Sequence, residues 1–89
     1  MTSLDHWWRG YQETGDITPL RLGMTRGELR AVFGDPHDVG GVSRKHKIPL
    51  IWKYGEFEFH FGFTQADGLR LIYREDEHGN GHRIAGSGI

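Results

Sequence analysis

The chain contains no cysteine. Disulfides, thiolate metal sites and cysteine nucleophiles are therefore excluded from its chemistry, and the absence fits a reducing compartment. Long apolar runs are missing too. Nothing approaches the roughly 20 apolar residues that cross a bilayer. Charge of one sign is also lacking: 11 Lys and Arg face 12 Asp and Glu, for a formal net charge of −1. That balance gives no global attraction to nucleic acid or to acidic membranes. The opening residues, MTSLDHWWRGYQETGD, show no basic segment followed by an apolar stretch, so a secretory leader is not expected. The expected location is cytoplasmic. With 89 residues the chain reads as one domain, one that buries only about 60% of the surface its unfolded form exposes.

What the sequence has is periodicity. Leu4, Trp7, Trp8 and Tyr11 recur at i, i+3, i+4 and i+7, the apolar stripe of an amphipathic helix. The spacing predicts a helix over residues 3–14, with Thr2 and Asp5 as a weak capping box and Gly15 as its stop. A second helix is marked at both ends in GMTRGELRAVFGDP, Gly23 to Pro36. Thr25 and Glu28 have capping-box spacing, and Met24 and Leu29 that of a hydrophobic staple. Gly34 and Pro36 end the run. Leu29, Val32 and Phe33 give residues 26–33 one apolar face.

Residues 34–48 read as a long connection with a short basic run, Arg44-Lys45-His46-Lys47, part of it extended or mobile from Asp38 to Arg44. The period then changes from 3.6 to 2. Leu50, Trp52 and Tyr54 alternate with Ile51 and Lys53. Phe57, Phe59, Phe61 and Phe63 alternate with Glu58, His60 and Gly62. Leu69, Leu71 and Tyr73 alternate with Arg70, Ile72 and Arg74. Three half-buried strands are expected. A turn at Tyr54-Gly55 would pair Trp52 with Phe57, and a loop near Gly68 would pair Phe61 with Leu71 and Phe59 with Tyr73. Glu58 would then oppose Arg74 on the polar face.

The expected fold is α+β: two N-terminal helices packed on one face of a three-stranded antiparallel meander, residues 1–76. Residues 77–89 are expected as a polar, glycine-rich, mobile tail.

The stretch LRLGMTRGELRAVFGDP (Leu20 to Pro36), followed by the strand IWKY (Ile51 to Tyr54), resembles the helical signature of the SmpA/OmlA (BamE) outer-membrane assembly lipoproteins. That group is related in fold to the β-lactamase inhibitory protein repeat. The chain is also similar to small bacterial cytosolic proteins of the same build. The resemblance covers about residues 16–74. It implies two helices against a three-stranded antiparallel sheet, used to bind other proteins without catalysis. The lipidated cysteine of the lipoproteins has no counterpart here, so the outer-membrane role is not carried over, and no family binding residue is transferred.

Chemistry-bearing residues are scattered. The six histidines, His6, His37, His46, His60, His78 and His82, form no ligand cluster, and no H-E-x-x-H occurs, so neither a metal nor a cofactor is expected. Glu56, Glu58 and His60 are assigned to the polar sheet face, with Arg70 and Arg74 opposite. A carboxylate and an imidazole two residues apart on one face suit acid–base work, but only in a cleft with perturbed pKa values; otherwise they make a solvated, charged surface. Arg44, Lys45 and Lys47 make a basic hook for an acidic partner. The expectation is a non-enzymatic protein-binding module, of inhibitor or immunity type, working through Glu56, Glu58, His60, Arg70, Arg74, Arg44, Lys45 and Lys47. Its partner is another protein, not a membrane or nucleic acid. The alternative is a small hydrolase or ligand-binding domain using Glu58, His60 and Arg70.

Overall fold

The computed structural model describes residues 1–42, 45 and 47–87. Two helices, α1 (Leu4–Thr14) and α2 (Arg26–Phe33), precede five strands: β1 (Asp38–Gly40), β2 (Ile51–Tyr54), β3 (Phe57–Phe61), β4 (Leu69–Glu75) and β5 (Gly81–Gly86). The strands form one antiparallel sheet in the order β1-β2-β3-β4-β5.

The local signals act where they stand. Ser3, rather than Thr2, caps α1, its side chain accepting from the His6 backbone N–H, and the Gly15 N–H closes the other end on Tyr11 O. The α2 capping box is complete: Glu28 N–H donates to Thr25 Oγ1 at 3.1 Å and Thr25 N–H donates to Glu28 Oε1 at 2.9 Å. Helices this short depend on such caps and on packing. Trp7 sits edge-on to Phe57, with centroids 5.3 Å apart, and to Phe33 of α2 at 5.8 Å. Phe33 reaches Tyr54 and Phe59. Leu29, Met24, Leu20, Trp52, Phe61, Leu69 and Ile72 complete the buried cluster.

Two strands correct the expected three. Asp38–Gly40, within the long connection, pairs with β2, and Gly81–Gly86, within the expected mobile tail, pairs with β4. The tail is turned back by Asp76. Its Oδ1 accepts from the backbone N–H groups of His78 and Asn80, and Asp76 N–H donates to Asn80 O. Ile84 and Ala85 then pack against the core cluster.

The strand registers differ as well. Tyr54, not Trp52, pairs with Phe57, so the turn is Gly55-Glu56. Gly55 takes φ +59° while Glu56 stays at negative φ, the φ pattern of a type II′ hairpin turn. This two-residue slip keeps every side chain on its face, which is why alternation alone does not detect it. Between β3 and β4 a bulge changes faces. Phe59 pairs with Ile72 and Phe61 with Leu69, leaving Arg70 as the extra residue. Leu71 and Tyr73, expected on the face under the helices, therefore lie on the opposite face, where Leu71 is buried all the same, and Ile72 takes their place. The bulge lies next to a close approach: Gly23 N–H donates to Leu69 O and Leu69 N–H donates to Met24 O, tying the lead-in of α2 to β4. A Cβ on Gly68 would collide with the Gly23 carbonyl. Phe63 falls beyond β3 and is 56% exposed, not part of a core strand.

Candidate functional site

The ring contacts of both helices fall on the face that carries Trp52, Tyr54, Phe57 and Phe59. The pairings define two rungs across the opposite face. One runs Gly40, Ile51, His60, Leu71, Gly86; the other runs Asp38, Lys53, Glu58, Tyr73, Arg83. The first is an apolar row with one imidazole at its centre and a glycine at each end. The second alternates acid and base across β1, β2 and β3 and ends in a base on β5, so neighbouring charges are complementary.

Glu58 and His60 meet along β3. His60 Nε2 lies 3.0 Å from Glu58 Oε1, and both side chains are about a quarter exposed. Beside them the bulge places Arg70. His60 and Arg70 line a cleft of about 220 Å³ with Leu50, Ile51, Phe63 and Ser87. The bulge and the sheet end shape it together: Ser87 N–H donates to Arg70 O at 2.9 Å, just after β5. Phe63 and Val42, each 56% exposed, add apolar surface in this region, Phe63 as part of the lining and Val42 next to the lining residue Gly41.

Glu58 thus meets His60, and His60 and Arg70 share one cleft. Arg74 and Glu56 are not with them. Arg74 pairs with Phe57, on the helix side, where its guanidinium stacks 5.0 Å from the Trp8 ring centroid and its Nε lies 3.1 Å from Glu56 Oε1. The expected Glu58–Arg74 pair is replaced by Glu58–His60 and Glu56–Arg74, because the bulge shifts β4 by one residue. Lys45 and Lys47 are exposed; Arg44 and His46 lie outside the described residues. Among the described residues no group of three or more His, Asp or Glu is placed to hold a metal ion.

Sequence reasoning missed Ser87, which lay in the expected mobile tail, and Arg26. Arg26 opens α2 yet is only 5% exposed. It donates to Thr64 O (2.9 Å), Gly62 O (3.0 Å) and Pro49 O (3.1 Å), and its guanidinium lies 4.7 Å from the Phe61 ring centroid. Burial lowers its pKa from the ordinary value, opposed by the nearby Asp67 carboxylate. No sequence signal distinguishes it from an exposed first-turn arginine. No helix of the described residues is long and apolar enough to cross a membrane.

No protein-family model, curated protein or solved structure matches the chain.

Proposed function

We propose that this chain is a protein-binding module without catalytic activity, working through the sheet face opposite the helices. The observation that supports this reading is the row Gly40–Ile51–His60–Leu71–Gly86, in which Leu71 is buried and Ile51 and His60 are half-buried, beside a complementary charged row and bordered by exposed Phe63. Interfaces combine such an apolar centre with a polar rim. A stable one takes about 800 Å² from each partner, about a seventh of the 5648 Å² accessible here, so one face of this sheet is the natural unit. The cleft of about 220 Å³ has room for one inserted side chain. Arg70 favours an acidic partner segment, with Lys45 and Lys47 extending the same sign from the connecting loop. The most concrete form is an inhibitor or immunity-type protein of bacterial origin that caps its partner.

The test is affinity capture from the native host with Arg70→Glu and Arg9→Glu chains beside the parent. A stoichiometric partner retained by Arg9→Glu and lost by Arg70→Glu supports the reading. Equal capture by both, or capture of nothing, removes it.

One observation favours a second reading. Glu58 orients His60 beside a cleft that Ser87 also lines, the residue types of an acyl-transfer site. That reading requires turnover of an activated ester that Ser87→Ala and His60→Gln each abolish.

A further inference from the structure

A second cleft, of about 270 Å³, lies at the C-terminal side of the α2 lead-in and is lined by Arg26, Arg30, Pro36, Val39, Pro49 and Trp52. Its two arginines are unequally matched. Arg30 stacks 5.1 Å from the Trp52 ring centroid, and its Nε lies 2.9 Å from Asp35 Oδ1, in a pair more than half exposed. Arg26 is buried; the Asp67 carboxylate acts on it through space, but among the described residues no carboxylate lies within ion-pair distance of it. Its partners are three carbonyl dipoles and a ring face, and its Nε is buried with no hydrogen-bond partner. A buried charge is costly unless a counter-charge compensates it. Arginine stays charged under such burial, and its planar fork matches a carboxylate. The remaining walls are the two prolines, Val39 and the Trp52 indole, with the Gln65 amide adding a neutral polar group.

We propose that this cleft binds a carboxylate carried on a compact apolar body, the carboxylate drawn to Arg26 and Arg30 and the body against Trp52, Pro36 and Pro49. The volume limits the body to about one ring. The proposal rests on the helix side of the sheet and on different residues from the uncovered face, so either can fail without the other. The same chemistry comes from a free small acid or from the C-terminal carboxylate of a peptide.

The experiment is a titration of the ¹⁵N-labelled full chain with phenylacetate at constant ionic strength. It is read at the Trp52 indole N–H and the Arg26 and Arg30 Nε–H resonances. Saturable shifts with a dissociation constant on the order of 1 mM are expected. Phenylacetamide, the same ring without charge, should give no saturation. Arg30→Gln, at a side chain that is 56% exposed and so compatible with an intact fold, should weaken binding about tenfold or more. Arg26→Lys, which keeps the charge but loses the fork, should weaken it as well. Absence of saturable shifts, equal binding of phenylacetamide, or unchanged binding by a folded Arg30→Gln chain would overturn the proposal. An acetylated peptide ending in phenylalanine distinguishes the sources. Tighter binding than phenylacetate, with the same Arg30 dependence, assigns the carboxylate to a chain terminus; weaker binding assigns it to a free acid. Both outcomes support the site.

Discussion

Single side chains fix the joints of this molecule. Tyr54 is 2% exposed, and its hydroxyl donates to Gly34 O at 2.7 Å, joining β2 to the end of α2. Burial raises its pKa to about 12, so the hydroxyl remains a donor across the working range. Tyr54→Phe leaves the Gly34 carbonyl without that donor and should cost about 1–2 kcal/mol, read as a lower denaturation midpoint with unchanged slope. Asp76 acts at the β4–β5 turn. Its hydrogen bonds with His82, then those from the Asn80 and His78 backbone, hold its carboxyl below the ordinary 3.8. The unfolded chain therefore binds the proton more readily. The turn's stabilisation is complete above the ordinary value and is lost as pH falls through the lowered one. The protection of the amides in residues 77–83, their exchange relative to the unstructured rate at the same pH, should fall selectively as pH drops below the ordinary carboxylate range, and Asp76→Asn should remove that pH dependence.

For helices and strands, β5 discriminates most sharply between pattern and structure. A chain ending at Asp76 would be as stable as the whole if residues 77–89 were a mobile tail. The pairing of β5 with β4 and the packing of Ile84 and Ala85 predict instead a loss on the order of 2 kcal/mol or more, with aggregation through the uncovered β4 edge. Denaturation and light scattering of the shortened chain check this. The helices were legible in the sequence because capping and periodicity are local: Thr25, Glu28 and Leu29 each carry their own signal. The sheet was legible only in its middle. His82, Ile84 and Ala85 are too few and too polar in company to announce a strand, although Asp76 and Gly79 already mark a turn. The β4 faces were misread because a bulge at Arg70 is decided by what lies across from it, His60 and Phe61, and by the docking of Gly23 onto Leu69. Neither is visible in the spacing of Leu69, Leu71 and Tyr73.

Across the molecule, the ring contacts of Trp7, Trp8 and Phe33 fall on one sheet face, and the chemistry-bearing residues divide between that face and the opposite one. Glu58, His60 and Arg70 were legible as polar residues of one sheet face, and the fold sets Glu58 against His60 and lines one cleft with His60 and Arg70; Glu56 and Arg74 belonged to the same pattern, and Arg74 instead reaches Trp8 and Glu56. The cleft itself was not legible, since it is made by a bulge, a loop and the end of β5. The most direct measurement is photo-crosslinking in the native host with benzoylphenylalanine placed at position 63 beside that cleft or at position 9 on exposed α1. Binding through the face opposite the ring contacts predicts one defined protein adduct from position 63 and none from position 9. An adduct from position 9 alone, or from neither position, would contradict it.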